Sequence, residues 1–592
     1  MASHPPGRTL ADRAGWLLVL AAATALTAAC KSQPVGAELF AVQNRSADSV
    51  PRYGVLELSF RHNGRYDNNF FDLTIASGFT APSGSHRSVQ GFYYGGDVWK
   101  VRFSPDEPGN WTYTYLMNGK GGFRQQGSGA FECLPSALGG PVRRNPDKPY
   151  RWQFEDGGTA PTVHPYFPVG LQDCVGIRDG RLAPKSIDGE EREKPARQVS
   201  VDEYFAIYGG AGFNLFRFSQ QNCSYRLFDD LDHYREAEAR ATDELLVLAR
   251  QHGLRVMFGF FGFYDRGKQG SGLSGLLRRL ISRVWGAADE AISAEDRVML
   301  SKQKRFIDYC VARWGVYVDF WELLNERYAT DEWTTLMAAH VRAVDPGHKP
   351  ISTSYEKPYV PTIDLSAPHW YESESELDSD LRVQQLAAEW KQSGKPVIVG
   401  EQGNSGMNWD PLSATRMRIR AWTALFQEIS LVFWNTSWSK AGMNQGRYTP
   451  DTAANIYLGP EERGYIRTLQ DFSARLDPDV RMAGVELSPD GAVRAYGLLS
   501  RQVAAAYLHH VESHTTSVQG LKITLDAPPA GPHTAALIAE WIDPSTARVL
   551  VCTPVQEAHP TLDVPPFPID LALLMTRRSA DCPANAPQSA VH

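Results

Sequence analysis

The chain has 592 residues, more than one hydrophobic core usually organises, so we expect two or three domains. Its composition, 43% hydrophobic and 21% charged, is typical of a folded globular protein and argues against a disordered one. The formal net charge of -7 argues against the basic surface that nucleic-acid binding requires, so no nucleic-acid partner is expected.

The first residues have the pattern of an export signal. Arg8 and Arg13 precede an uncharged apolar run, residues 14–29, which ends in small residues. This run is shorter than the roughly 20 residues of a membrane-spanning helix, so an integral membrane protein is not expected. We predict that residues 1–30 are a signal peptide and that the mature protein is exported.

The end of this segment also resembles the lipobox of bacterial lipoproteins. Leu26-Thr27-Ala28-Ala29-Cys30 departs from that pattern at Thr27, where leucine is usual. The resemblance implies acylation of Cys30, which would tether the protein to a bacterial membrane on the periplasmic side or at the cell surface. Cleavage without a lipid, followed by secretion, is the alternative.

Residues 38–135 read as short alternating strands separated by turn signals. Runs such as 55–60, 98–103 and 111–115 alternate apolar with polar residues, and they predict an N-terminal β-sandwich. The following stretch, 134–149, is rich in proline and glycine and is predicted to be a linker.

From residue 150 to 478, apolar strand-like runs alternate with amphipathic helical runs. That alternation is typical of parallel βαβ units, and eight such strands over about 300 residues predict a TIM barrel. The predicted strands are 166–171, 213–218, 254–260, 318–324, 351–354, 365–371, 396–401 and 431–435. The predicted helices are 242–252, 297–314, 332–344, 380–393, 413–428 and 460–476. Residues 480–578 return to short strands and predict a C-terminal β-sandwich.

Six cysteines follow Cys30, and none has the C-x-x-C spacing of a zinc or redox site. Cys174 and Cys223 come just after the first and second predicted barrel strands, which would be neighbours about 4.8 Å apart. A disulfide needs Cα atoms within about 7 Å. We therefore predict a bond between Cys174 and Cys223, with free thiols as the alternative.

Candidate catalytic residues are expected where the predicted barrel strands end, because reactive groups lie at the C-terminal mouth of a TIM barrel. The fourth strand runs into Asn325-Glu326, and the seventh ends in Gly400-Glu401. Strands four and seven face each other across a barrel. Two carboxyl groups placed in this way suit glycosidic cleavage, in which one protonates the leaving oxygen and the other attacks the anomeric carbon.

Over residues 160–440 this pattern resembles the glycoside hydrolases of clan A, which have an Asn-Glu acid/base pair on strand four and a nucleophilic Glu on strand seven. The resemblance implies that Glu326 is the acid/base, that Glu401 is the nucleophile and that Asn325 binds the sugar 2-hydroxyl. It also implies four further substrate-site residues: Arg217, His369, Tyr371 and Trp434. A cation and a phenol near Glu401 would hold it ionised, whereas its charge is expected to raise the pKa of Glu326.

The flanking segments resemble a known arrangement as well. Gly91-Phe92-Tyr93 and the run from Trp99 to Pro105 resemble an N-terminal sandwich domain of unknown function, found ahead of a cellulase-family-like barrel with a terminal β domain. No function follows from this second resemblance.

Several carboxylates compete with the chosen pair. Glu322 lies four residues before Glu326, about 13 Å down the strand, where a structural role is expected. Glu372, Glu374 and Asp265 follow strands six and three and are either substrate contacts or solvated charges. Arg217 and His369 could also be groups of the core without substrate contact.

The sequence favours a retaining glycosidase, with the two carboxyl groups about 5 to 5.5 Å apart. A transglycosylase on the same fold and a carbohydrate-binding protein without catalysis are the alternatives. His369 has no partner at metal-ligand spacing, so neither a metal nor a cofactor is expected. A carbohydrate substrate is the implied partner; no protein partner is implied.

Overall fold

In the computed structural model, the described residues are 39–189, 196–220, 224–262, 292–354, 357–372, 375–404, 410–435, 456–528, 536–556 and 558–578. The predicted signal peptide with Cys30, and also Cys223, Asp265 and Glu374, lie outside them. Within these ranges, the structure contains no helix with the length and apolar character needed to cross a bilayer.

The N-terminal region consists of two sheets around one shared cluster of buried side chains. In sheet order, one contains Ala41–Arg45, Leu56–His62, Val98–Phe103 and Phe92–Gly95; the other contains Ser49–Pro51, Arg124–Leu134, Gly109–Gly119, Leu73–Thr80 and His86–Gln90. The rings of Phe79 and Phe103, one from each sheet, stack with their centroids 4.0 Å apart. Alternate residues of each strand face this cluster, which is consistent with the predicted β-sandwich.

The central region contains eight parallel strands. They are Val169–Gln172, Leu215–Ser219, Arg255–Phe261, Phe320–Leu324, Ile351–Ser352, His369–Tyr371, Ile398–Gly403 and Ser430–Trp434. The first strand pairs with both the second and the eighth, so the sheet curls, and its ladder is open between the fifth and sixth strands. This strand order is consistent with the predicted TIM barrel.

Helices connect most of these strands. They are Val201–Gly210, Glu236–Gln251, Arg297–Trp314, Asp331–Val344, Ser379–Trp390, Ser413–Phe426 and Pro460–Ser473, with 3-10 turns at Glu376–Asp378 and Lys391–Ser393. Side-chain oxygens of Asp296 and Thr330 cap two of them by accepting from backbone N–H groups. The first helix was not predicted, because its ten residues carry little contrast between an apolar and a polar face.

A small antiparallel sheet covers the N-terminal end of the central strands. It consists of Arg143–Arg144, Trp152–Glu155 and Val163–Tyr166. The ring of Trp152 meets Phe320 of the fourth strand edge to face, with centroids 5.1 Å apart. The stretch 134–149, predicted to be a linker, is therefore partly built into the base of the central region. The candidate catalytic residues lie at the opposite end of the strands.

The C-terminal region again consists of two sheets. The larger sheet contains, in sheet order, Arg481–Ala483, Val493–Leu499, Val503–His510, Asp570–Arg578, Ala536–Ile542 and Val549–Val555. The smaller sheet contains Val485–Ser488, Lys522–Leu525 and Thr561–Asp563. Trp422 stacks on Tyr507, and Arg418 forms a buried ion pair with Asp570 at 2.9 Å. The larger sheet is thereby packed against the helix Ser413–Phe426 of the central region.

Among the described residues, three further two-stranded antiparallel sheets are present; they pair Ile177–Arg178 with Arg181–Leu182, Lys185–Ile187 with Arg197–Val199, and Phe228–Asp230 with His233–Tyr234.

The described cysteines include both bonded and free side chains. Cys174 is disulfide-bonded, whereas Cys133 and Cys310 are buried free thiols. The predicted partner of Cys174, Cys223, lies outside the described residues, so this pairing stays a prediction. We expect unreduced protein, denatured and treated with iodoacetamide, to leave both cysteines unalkylated and to yield one cross-linked peptide that contains both. Recovery of alkylated Cys223 from unreduced protein would contradict the pairing, and alkylation of Cys133 in the same sample is the control.

Candidate active site

Three side chains from the mouths of strands four, six and seven meet. Nδ1 of His369 lies 2.7 Å from Oε1 of Glu326 and 3.4 Å from Oε2 of Glu401. One side-chain oxygen or nitrogen from each of the three residues lies within 4.8 Å of the other two. The structure therefore brings together the two glutamates that were selected from the sequence, with His369 between them.

The backbone at Glu326 is unusual. Its φ of 47° is in the left-handed region, which costs a non-glycine residue about 1–3 kcal/mol. Its N–H donates to Oγ of Ser354, which follows the fifth strand, at 2.9 Å. This hydrogen bond fixes the chain where it leaves the fourth strand. The Glu326 side chain is 34% exposed, which leaves the carboxyl group accessible to a ligand.

The carboxylate of Glu401 is fully buried and is held by three donors. Its Oε1 accepts hydrogen bonds from Nη1 of Arg217 at 2.6 Å and from Nε2 of Gln172 at 3.1 Å. Its Oε2 accepts from the hydroxyl group of Tyr371. Glu401 is thus fixed by groups from the first, second and sixth strands.

Arg217 joins the two buried carboxylates of the central strands. Besides Glu401, its guanidinium group binds both oxygens of Glu322 at 2.8 Å, and none of the three side chains is exposed. Burial alone would lower the pKa of Arg217, but the charges of Glu322 and Glu401 outweigh it and raise the pKa. Arg217 therefore remains charged. Glu322 is occupied by this ion pair, as expected for a structural carboxylate.

Two nearby groups have shifted pKa values. Burial and the charge of Glu401 raise the pKa of Tyr371, which keeps its hydroxyl group a donor. Burial also raises the pKa of Glu326, but the hydrogen bond and charge of His369, together with the charge of Arg217, outweigh it and lower the pKa below its ordinary value. The raised pKa expected for Glu326 from the sequence is therefore wrong in this arrangement, because that expectation considered Glu401 and left out His369.

Asn325 offers a donor that is not engaged. Its Oδ1 accepts from Nη2 of Arg217 at 2.6 Å, which fixes the orientation of the amide. Its Nδ2 is buried and has no hydrogen-bond partner among the described residues. A buried donor without a partner costs about 1–3 kcal/mol, so this group is suited to a ligand hydroxyl.

Two other candidates have different surroundings. Trp434 is buried at the end of the eighth strand, in register with Gln172 of the first strand. Glu372 forms two hydrogen bonds to Arg382, at 2.6 and 2.7 Å, which occupies both of its oxygens. The structure thus gives Glu372 an ion-pair role.

Sequence reasoning missed Gln172 and Ser354. Gln172 ends the first strand and is in register with Arg217 and Trp434 on its two neighbours. It carries the same sequence signal as the candidates on strands two, four, six, seven and eight, namely a polar side chain at the C-terminal end of a central strand.

One group of the described residues has the composition and spacing of a metal site, namely Glu326, His369 and Glu401. The 2.7 Å separation of His369 and Glu326 is the length of a charge-assisted hydrogen bond. A hydrogen bond between His369 and Glu326 accounts for that contact.

Comparison with known proteins adds the following. Residues 49–118 match a family described as a domain of unknown function, DUF5060. No curated protein matches the chain. A structure from Bacteroides vulgatus described as a candidate glycoside hydrolase is 18% identical, with a TM-score of 0.60, and the match covers 90% of this chain and 100% of that one. The similarity supports the fold over nearly the whole chain.

Two weaker structural matches are to glycoside hydrolases of family 5. A xyloglucanase from Bacteroides ovatus, solved with a heptasaccharide, is 9% identical with a TM-score of 0.31 and matches 70% of this chain and 98% of its own. A mannosidase from Rhizomucor miehei is 12% identical with a TM-score of 0.37 and matches 58% of this chain and 99% of its own. The three solved structures named above are each described as a glycoside hydrolase.

Proposed function

We propose that this chain is a retaining glycoside hydrolase that cleaves O-glycosidic bonds of a polysaccharide or oligosaccharide. The observation that carries the proposal is the approach of Glu326 and Glu401, whose oxygens lie within 4.8 Å of each other. Retaining enzymes place their two carboxyl groups about 5–5.5 Å apart, whereas inverting enzymes leave roughly 6.5–9.5 Å for a water molecule. The separation in this site leaves no such room.

The two glutamates divide the reaction between them. Glu401 attacks the anomeric carbon while Glu326 donates a proton to the departing oxygen, so the glycosidic bond breaks as a glycosyl ester forms on Glu401. Glu326, now ionised, takes a proton from the incoming water, which releases the sugar and restores Glu401. Nδ2 of Asn325 would donate to the sugar 2-hydroxyl throughout.

His369 affects the acidity of Glu326. Glu326 needs a proton to act as an acid, and Nδ1 of His369 lies 2.7 Å from its Oε1. The hydrogen bond and charge of His369 lower the pKa of Glu326. His369 thereby lowers the pH above which Glu326 is ionised and no longer acts as the acid.

We also propose that the protein acts outside the cytoplasm. An exported enzyme with an acylated Cys30 would act on glycans at a bacterial membrane or cell surface, and without the lipid it would be secreted. Export also fits a disulfide at Cys174, since such bonds persist in oxidising compartments.

The stereochemical outcome tests the proposal. A panel of aryl glycosides and polysaccharides would be screened for cleavage, and the first product from a cleaved substrate followed by proton NMR before mutarotation. We expect the anomeric configuration of the substrate to be retained, and Glu401→Gln to be the inactive control. An inverted first product contradicts the double displacement, and dominant transfer to an added acceptor sugar would identify a transglycosylase.

A second test concerns His369. The hydrogen bond and charge of His369 lower the pKa of Glu326, so His369→Asn should raise that pKa. Because activity requires protonated Glu326, the basic limb of the kcat/KM profile should move to higher pH, by about 1 unit. His340, which pairs with Asp308 at 2.7 Å on a remote helix, provides the matched control His340→Asn. A basic limb that stays in place in His369→Asn shows that His369 does not lower the pKa of Glu326.

A further inference from the structure

The two oxygens of Glu401 have different surroundings. Oε1 accepts two hydrogen bonds, from Nη1 of Arg217 and Nε2 of Gln172, and these donors fill its lone-pair directions. Oε2 accepts one, from Tyr371, and is the oxygen that lies 3.4 Å from His369. Since His369 also contacts Glu326, Oε2 is on the side where the sugar must lie between the two glutamates.

Resting on the proposed function, we propose that Gln172 is a positioning residue which, with Arg217, holds Oε1 of Glu401 inward so that Oε2 is the attacking atom. Gln172 is 2% exposed and does not itself face a substrate. Its amide acts in both directions, because Oε1 of Gln172 accepts from Nη1 of Arg217 while its Nε2 donates to Glu401. It therefore acts through Glu401 and Arg217.

Arg217 alone cannot hold this orientation. Its Nε and Nη2 are directed to Glu322, and Nη2 also donates to Asn325, so a single nitrogen, Nη1, is left for Glu401. Without Gln172 the carboxylate would have one donor on each oxygen, Arg217 on Oε1 and Tyr371 on Oε2, and the two oxygens could exchange places by rotation about the C–C bond. The second donor on the same oxygen, supplied by Gln172, opposes that rotation.

A neutral amide is required at this position because of the charges around it. The charged or titratable groups that face Glu401 from the neighbouring strands are Arg217, Glu322, Glu326, His369 and Tyr371. Arg217 already neutralises Glu322, so a further carboxylate at position 172 would add a buried negative charge that nothing compensates.

Two substitutions at one position separate orientation from packing. Gln172→Met keeps the approximate volume but removes the donor and the acceptor, and we expect kcat to fall by roughly 10–100-fold with little change in KM. Gln172→Glu keeps the shape but adds a charge. It should move the acidic limb of the kcat/KM profile to higher pH by about 1 unit or more, because ionisation of Glu401 is then opposed.

Gln220 supplies the matched control. It is a fully buried glutamine just after the second strand, and its amide bonds the backbone at Phe260 and Leu227. Gln220→Met should therefore lower stability without moving either limb of the pH profile. If Gln172→Met keeps kcat at the level of Gln220→Met, or if Gln172→Glu leaves the acidic limb in place, the inference is overturned.

A readout independent of activity keeps this inference distinct from the proposed function. In Gln172→Glu the folded state retains a proton that the unfolded state releases, so its stability relative to wild type should fall as the pH rises from 4 to 7. Urea unfolding at several pH values measures this. Failure of the wild type to cleave any glycoside overturns the proposed function alone, whereas an equal stability difference at both ends of the pH range overturns the contact between residue 172 and Glu401.

Discussion

Glu401→Ala is expected to lose nearly all turnover on every substrate, on the order of 10⁵-fold, because no other described group in the site is placed to form the covalent intermediate. Glu326→Ala should fail differently, since it lacks proton donation to the leaving group and help to the incoming water. Loss of a general acid/base typically costs about 10²–10⁴-fold. The two variants are compared on an aryl glycoside with an acidic phenol and on one with a poorer leaving group.

An acidic phenol leaves with little protonation, so the first step should survive in Glu326→Ala and the glycosyl-enzyme should accumulate. Azide should then restore turnover by attacking this intermediate without a base, and the product should be a glycosyl azide of retained configuration. In Glu401→Ala, azide can only take the place of the nucleophile and should give the inverted product. A retained azide product from Glu401→Ala would mean that the roles of the two glutamates are exchanged.

Both variants should remain folded, so differences in their kinetics can be assigned to the lost carboxyl group and not to unfolding. Removing Glu401 leaves Arg217 bound to Glu322 through both carboxylate oxygens. Removing the partly exposed side chain of Glu326 leaves the hydrogen bond from its backbone to Ser354 in place. Thermal unfolding within a few degrees of wild type is the control for each.

The central strands could be predicted because hydrophobicity reports burial. Runs such as Arg255–Phe261 are buried at every residue, and they stand out between amphipathic helices. The helix Arg297–Trp314 has the predicted bounds, and its start is marked by the capping Asp296. The sixth strand was predicted over residues 365–371 but is His369–Tyr371, because the residues before it make only an isolated bridge between Ser366 and Val397, and Pro368 has no N–H to continue the ladder.

Sequence position identified the two candidate catalytic glutamates of the site, but it did not give the properties that depend on contacts between side chains. Glu326 and Glu401 follow from the strand count. The pKa direction of Glu326 does not, because it depends on a 2.7 Å contact with His369, from a strand two further along. The role of Gln172 depends in the same way on a contact between strands one and seven that no local pattern encodes.

Arg217→Met is the second substitution for which we expect a large effect. Arg217 is the cation between Glu322 and Glu401, and all three side chains are inaccessible to solvent. Removing one partner of a buried ion pair leaves an uncompensated charge and destabilises a protein by about 3–5 kcal/mol. We therefore expect a loss of this size in the unfolding free energy at pH 7, measured by urea denaturation, and a loss of activity, since Glu401 also loses its charged donor.

The pH dependence and a matched control show whether the two carboxylates cause the loss. Without Arg217 the folded protein resists ionising Glu322 and Glu401, so the deficit should be small at low pH, where both are protonated in the folded and unfolded states, and should grow as the pH rises. Adding Glu322→Gln to Arg217→Met should recover part of the stability but not the activity. Arg418→Met, which breaks the buried pair with Asp570 far from the site, should lose stability while the surviving folded enzyme keeps its kcat. If the stability deficit of Arg217→Met relative to wild type is the same at pH 7 as at low pH, the charges of Glu322 and Glu401 do not depend on Arg217 for compensation.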